Sequence, residues 1–446
     1  MLSRPSGLPA LIKDRLPGGA SRLAALLLPQ ILPVFSVVAP CHPGAALRNP
    51  VLAQRRQATS AIIGVVMAAA AIVGASAQER GPQTLSGDAV RTSIDALGNL
   101  DFPVRMNAAR ALRRAPAEAV APALVQAVES HKDPFVRFRA LVLLTSLKDG
   151  RTPELVRQVA SNPNDRLRTV AYMYYEHHPS AGMVPSLLQA LEHEESEFVR
   201  PSLIRALAAQ GNHPNVRETL LTEVVRGQDF FRSGVIEALG DYRAAYAVEP
   251  LIAIARLGGP LQVDAVIALG KIKDQRALET IASLQRSAPR EMQPTIAAAI
   301  CLLGINCDSH VPYVIETLKF AEKNLGFQEL LRNSVTALVA LANSGHQQAL
   351  SALFEVGIPS VDPPRAPMAL GAGTVAIRNT TLMLSFLESY AKRDGAIDLL
   401  AEGFDMLEED YEEESFFAEV RRRYWEAPDG SATRTLGQGL IEKLEF

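Results

Sequence analysis

"DPFVRFRALVLL", residues 133–144, is the stretch that decides the fold, because the chain says almost the same thing four more times. Near-copies run "DFPVRMNAARAL" from Asp101, "NDRLRTVAYMYY" from Asn164, "SEFVRPSLIRAL" from Ser196 and "QDFFRSGVIEAL" from Gln228. Their arginines are Arg105, Arg137, Arg168, Arg200 and Arg232, at successive spacings of 32, 31, 32 and 32. The pattern continues without the arginine as "VDAVIALGKIKD" near Val263 and "PTIAAAICLLG" near Pro294. A fixed period of this length means a solenoid. Between the copies lie second amphipathic stretches such as "AVAPALVQAVES" (119–130), "MVPSLLQALEHE" (183–194) and "AVEPLIAIARLG" (247–258). Each unit therefore reads helix, turn, helix, turn.

The spacing has a physical cause. One helix pair cannot bury its apolar face alone, so stacked neighbours must share a core. In the first unit the small residues Ala108 and Ala109 permit close approach, while Leu112 fills the interior. Asp101 and Asp133 stand where an N-cap is needed, their oxygens able to accept free backbone N–H groups. Each also lies four residues before its arginine, within reach of an i,i+4 ion pair. The five arginines themselves have two readings: a ladder for an acidic ligand, or braces for the turns. Their membership of the repeat favours the brace.

Composition agrees. The 446 residues are 48% hydrophobic and 21% charged, which describes a globular chain. Long alternating runs of Val, Ile and Thr are missing, so the expectation is all-α. A formal net charge of −3 gives no reason to expect nucleic acid as a partner.

"ALGDYRAAYAVEPLIAIARLG" (238–258) and "ALGKIKDQRALETIASL" (268–284) resemble the HEAT-repeat family, and are similar to the short bacterial HEAT-like repeats of phycobilisome lyases. The resemblance covers residues 89–345 and, more loosely, 346–446. It implies an all-α, right-handed α-solenoid of about nine or ten helix-turn-helix repeats. On function it is nearly silent, since the repeat serves scaffolds, adaptors and a few enzymes.

The resemblance also implies that the second helix of each unit lines a concave face. Aligning those helices then places Met106, Phe138, Val142 and Met173 on one surface with Arg110, Arg139 and Arg205. A mixed arginine and apolar surface suits a protein or peptide partner with acidic and apolar groups. The alternative is that these side chains are core. An enzyme would need more. His193-Glu194 is similar to the His-Glu pairs of deoxyhypusine hydroxylase, a HEAT-type di-iron enzyme, but that family uses several at repeat spacing. "YEHHP" (175–179) has the order reversed, and His177 and His178 read as solvated or as capping carbonyls. HExxH and Gly-rich phosphate loops are absent. The expectation is a non-enzymatic protein-binding scaffold without cofactor or metal; the alternative is an accessory or lyase-like subunit assisting a cofactor-bearing partner.

Towards the C-terminus the period fails. "GIPSVDPPRAPMALGAGT" (357–374) reads as a Pro/Gly-rich insertion between helices, with Pro364 and Pro367 at PxxP spacing. "EEDYEEESFFAEVRRRYWE" (408–426) reads as a divergent terminal repeat, acidic first and basic last along a helix, which favours the macrodipole at both ends. A helix over about 432–445 would close the core. The rival reading of 408–426 is a helix that docks on a partner.

At the other end, "RRQATSAIIGVVMAAAAIVGASAQER" (55–80) has the form of a signal peptide: Arg55-Arg56, an apolar run from Ala61 to Val73, and an Ala75-Ser76-Ala77 cleavage box before Gln78. Residues 1–50 are expected to be a mis-called extension, 51–77 the signal and 78–88 a linker. The mature chain would be periplasmic or secreted, or held at the inner membrane if the segment stays uncleaved. Cys301 and Cys307 are then its two cysteines. Gly304 between them turns the chain and brings them within disulfide reach. The alternative is a small buried hydrophobe and an unrelated loop thiol.

Overall fold

The computed structural model describes residues 81–407 and 410–446, so the expected signal segment (51–77) and the expected extension (1–50) lie outside the described residues. Among the described residues every regular element is helical. The helices pair as α1 (Gly87–Ala96) with α2 (Phe102–Arg114), α3 (Ala117–Ser130) with α4 (Pro134–Ser146), α5 (Thr152–Val159) with α6 (Asp165–His177), and α7 (Val184–His193) with α8 (Arg200–Ala208). Next come α9 (Pro214–Glu223) with α10 (Asp229–Asp241), α11 (Val248–Leu257) with α12 (Gln262–Ile272), α13 (Leu278–Gln285) with α14 (Gln293–Leu302), and α15 (Cys307–Lys323) with α16 (Gln328–Asn343). The last are α17 (Gln347–Gly357) with α18 (Arg365–Arg378), α19 (Thr380–Ser389) with α20 (Arg393–Met406), and α21 (Asp410–Glu426) with α22 (Ala432–Lys443). Among the described residues the result is an all-α solenoid of eleven pairs, against the nine or ten expected. None of these helices is long and apolar enough to cross a membrane.

The even-numbered helices stack on one another from α2 to α20 and form the inner layer. Their starts follow from local chemistry: Asp101, Asp133 and Asn164 accept from the main-chain N–H of Val104, Phe135 and Arg166 at 3.2, 2.8 and 3.0 Å. Their close spacing follows from small residues. A Cβ on Gly240 would sit 2.8 Å from Ala268 Cα, and one on Gly270 would sit 2.7 Å from Ala299 Cα. The repeated Ala-Leu-Gly thus lets consecutive inner helices touch through their backbones.

Two expectations need correction. Residues 357–374 are not an insertion: α18 begins at Arg365 and continues the inner layer. Pro367 falls in its first turn, where a missing N–H costs nothing. Met368, Ala369, Ala372, Val375 and Ala376 of α18 are all buried. Nor does α21, expected as part of a divergent terminal repeat, stay at its own end of the array. It packs against α22 and α18, and also against α4 and α6, so the array curls until its last pair meets its first three.

Candidate functional site

The five repeat arginines point into turns. Arg105 Nη1 donates to Asn99 O at 2.7 Å, Arg137 Nε to Val128 O at 2.8 Å and Arg168 Nη1 to Asn162 O at 2.8 Å. Arg200 Nη1 reaches Leu191 O at 3.1 Å, and Arg232 Nε reaches Val224 O at 3.1 Å. Each satisfies a carbonyl left free where the preceding outer helix ends or the turn follows. The guanidinium groups of Arg105 and Arg137 turn to these carbonyls rather than to Asp101 and Asp133. Glu194, half of the His193-Glu194 pair, is taken by Arg168 through two 2.9 Å bonds.

The stripe assigned to a partner is not an open surface. Phe138, Val142, Met173 and Arg205 are buried, and Met106, Arg110 and Arg139 are half-buried. The chain's own C-terminus covers this stretch. Arg113 Nε donates to Glu414 Oε2 at 2.7 Å, Arg139 lies 3.5 Å from Asp410, and Arg110 Nη2 donates to Glu445 O at 3.0 Å. Acidic α21 meets arginine-bearing α2 and α4, so the chemistry expected of a partner is supplied by the same chain.

What stays open on the concave side is a cleft of about 370 Å³ beyond α21. One wall is an alternating charge ladder across four consecutive inner helices. Glu176 of α6 accepts from Arg205 Nε of α8 at 2.8 Å; Arg205 Nη1 donates to Asp241 of α10 at 2.9 Å; Lys271 Nζ of α12 donates to Asp241 at 2.7 Å. Tyr242 Oη donates to Glu176 at 2.8 Å. The facing wall is milder: Val335, Thr336 and Val339 of α16, with Leu370, Thr374 and Ile377 of α18. At one end Glu176, His177 and Glu412 converge. Only Arg205 of these wall residues was singled out by the repeat alignment. Asp241 and Lys271 were missed, although both follow Ala-Leu-Gly, one repeat apart and opposite in sign.

The ladder is ionised. Burial works against charge on Glu176, but Arg205 and Arg378 more than offset it and hold the carboxyl below its usual range. Asp241 is likewise held low by Lys271 and Arg205 against the effect of burial. Asp264 of α12 behaves oppositely. Burial pushes its carboxyl up from 3.8 to about 6, the hydrogen bond from the Ser233 hydroxyl opposing and the Glu237 charge adding. The folded chain therefore keeps a proton that the unfolded chain loses, and stability falls as pH rises from about 4 to about 6. Asp264→Asn removes that loss. Its unfolding free energy from urea titration should exceed the parent's at pH 7.5, by up to about 3 kcal/mol, and converge with it below pH 4.

Cys301 and Cys307 are joined as a disulfide, with Cα atoms 4.6 Å apart. Cys301 ends the buried face of α14, Gly304 takes a φ of +87°, and Cys307 opens α15. The bridge thus pins the turn between two helix pairs, and a loop this short limits what closure adds to stability.

The HEAT repeats family model matches residues 90–176, the span from α1 to the end of α6. No curated protein matches the chain. Among solved structures, similarity extends to a chain from the structure in which Kap95p binding induces the switch loops of RanGDP to adopt the GTP-bound conformation. It is 14% identical, with a TM-score of 0.34, over 79% of this chain and 56% of that one. A Kap121p mutant is 12% identical, with a TM-score of 0.31, over 81% of this chain and 41% of that one. A chain from work on the interaction between cadherin and beta-catenin is 10% identical, with a TM-score of 0.28, over 82% of this chain and 95% of that one. This chain thus spans 56% and 41% of the first two. Scores this low carry no argument. Residues 90–176 match HEAT repeats, and among the described residues the same helix pairing carries on to Lys443.

Proposed function

We propose that this chain is an exported, non-enzymatic binding protein that receives a segment of a partner protein in the concave cleft. The cleft carries the reading. Its ladder is fixed by buried ion pairs before any partner arrives, so polar groups on the partner meet oriented donors and acceptors without reorganisation. The α16–α18 wall offers apolar and hydroxyl contacts opposite. About 370 Å³ holds side chains, not a helix, so the guest is one or two residues of an extended segment or loop. The form of residues 55–80 and the Cys301–Cys307 bridge support an oxidising compartment outside the cytosol. A second reading, an accessory subunit that assists a cofactor-bearing partner, draws on the convergence of Glu176, His177 and Glu412 at one end of the cleft.

Thr336→Trp tests the first reading by filling the cleft from a half-buried position. The mature chain from Gln78 is immobilised and challenged with periplasmic extract, beside the variant. A protein retained by the parent and lost by the variant, with melting temperatures close together, supports the cleft. Equal retention by both moves the binding surface elsewhere.

A further inference from the structure

We propose that Glu176, His177 and Glu412 bind a divalent transition metal of the zinc class, which fastens α21 to the third repeat. The proposal is independent of whether the cleft receives a partner. One donor atom from each residue lies within 4.8 Å of the other two. His177 Nε2 stands 3.4 Å from Glu412 Oε1, too far for a good hydrogen bond. It is, however, the separation of two ligands that each lie about 2.0–2.2 Å from a tetrahedral ion. The imidazole is held for this by stacking on Tyr411, with ring centroids 5.1 Å apart and planes at 12°.

The second observation is independent of that spacing. Glu176 and Glu412 have side chains only 2% and 3% exposed, and the Oε2 of each is buried without a hydrogen-bond partner. A buried, unsatisfied carboxylate oxygen is costly, and two at one place call for a donor or a cation between them. The protein's own donors act on the other oxygens: the Arg205 guanidinium and the Tyr242 hydroxyl on Glu176 Oε1, and Arg378 at 3.5 Å from Glu412 Oε1. Arg378 at 3.5 Å leaves Glu412 Oε1 able to turn to an ion beside His177 Nε2, and the Oε2 of each carboxylate adds a further unpartnered oxygen. One imidazole and two carboxylates are a donor set for zinc, manganese or iron rather than for calcium or magnesium, which prefer oxygen throughout. His177 is 42% exposed, so the ion has a way in and an open position for water or a partner's group. Arg205 and Arg378 oppose the added positive charge and keep the affinity below that of a four-ligand structural zinc site. No sequence motif could mark this site, because Glu412 is 235 residues from His177.

The mature chain is stripped with EDTA, and zinc is titrated by calorimetry, with cobalt(II) as the spectroscopic probe of the imidazole ligand. Stoichiometric zinc, a raised melting temperature and a cobalt band in the visible are expected. His177→Ala, at an exposed position, and Glu412→Gln should each weaken zinc by about tenfold or more. His178→Ala, whose ring stacks on Tyr174 instead, should not. Absence of zinc binding, or binding unchanged in His177→Ala, overturns the proposal; so does loss of binding in His178→Ala alone.

Discussion

Glu414→Ala is expected to destabilise the chain by about 3–5 kcal/mol, because it strips a buried cation of its partner. Glu414 is 1% exposed and Arg113 is 7% exposed. The carboxylate accepts from Arg113 Nε at 2.7 Å, and from Ser146 Oγ and Arg421 Nη2 at 3.2 Å each. The charge on Arg113 stays, because an arginine does not titrate away. Glu414→Gln keeps an acceptor but loses the charge, and should fall between alanine and the parent. The damage should also have a location: amide hydrogen exchange in residues 410–426 should rise before exchange in α8 to α14 does. A loss below about 1 kcal/mol, or uniform exchange, would show that α21 is held by its apolar side alone.

The second large effect is at Gly403→Ala. There α20 crosses α18 so closely that an added Cβ would drive into the Ala369 carbonyl oxygen and stand 3.2 Å from Gly373 N. These are backbone atoms with no rotamer to yield, so the helices must separate, at a cost of about 3 kcal/mol or more. Gly234→Ala is the matched control. Gly234 also lies within a helix, α10, but a Cβ there meets nothing within 4 Å. Relief of backbone entropy should stabilise that variant by about 0.5–1 kcal/mol. Opposite signs in urea midpoints are the expected result; two variants of the same sign would mean that close approach is not what α20 requires of its glycine.

Both positions show what the sequence discloses. The helix pairs were legible because each repeat must bury its face on the next, and that constraint writes a period: Arg105 to Arg232, the small pair, the Asp and Asn caps. The α17–α18 pair was misread because Pro363, Pro364, Pro367, Gly371 and Gly373 look like loop residues one by one. The proline at 367 sits harmlessly in a first turn, and the glycines are where helices press together. Closure of the array was hidden for a different reason. Arg113 and Glu414 are 301 residues apart, and no period links them. Its two halves were nevertheless visible separately: an arginine and apolar stripe on α2 and α4, and an acidic, aromatic "DYEEESFF" at 410–417. The stripe was read as awaiting a partner, and the acidic segment as a divergent terminal repeat with a docking helix as the rival. The partner of each is the other.

That closure has a mechanical consequence. An open stack of helix pairs behaves as a coil spring, because strain passes only from neighbour to neighbour and the free ends swing. Sewing the last pair onto the first three turns the spring into a hoop. A hoop has no leading end, so the walls formed by α8 to α12 and by α16 and α18 stand at one fixed gauge. The proposed guest would then be selected by girth, and widening the aperture requires the seam at α21 to part.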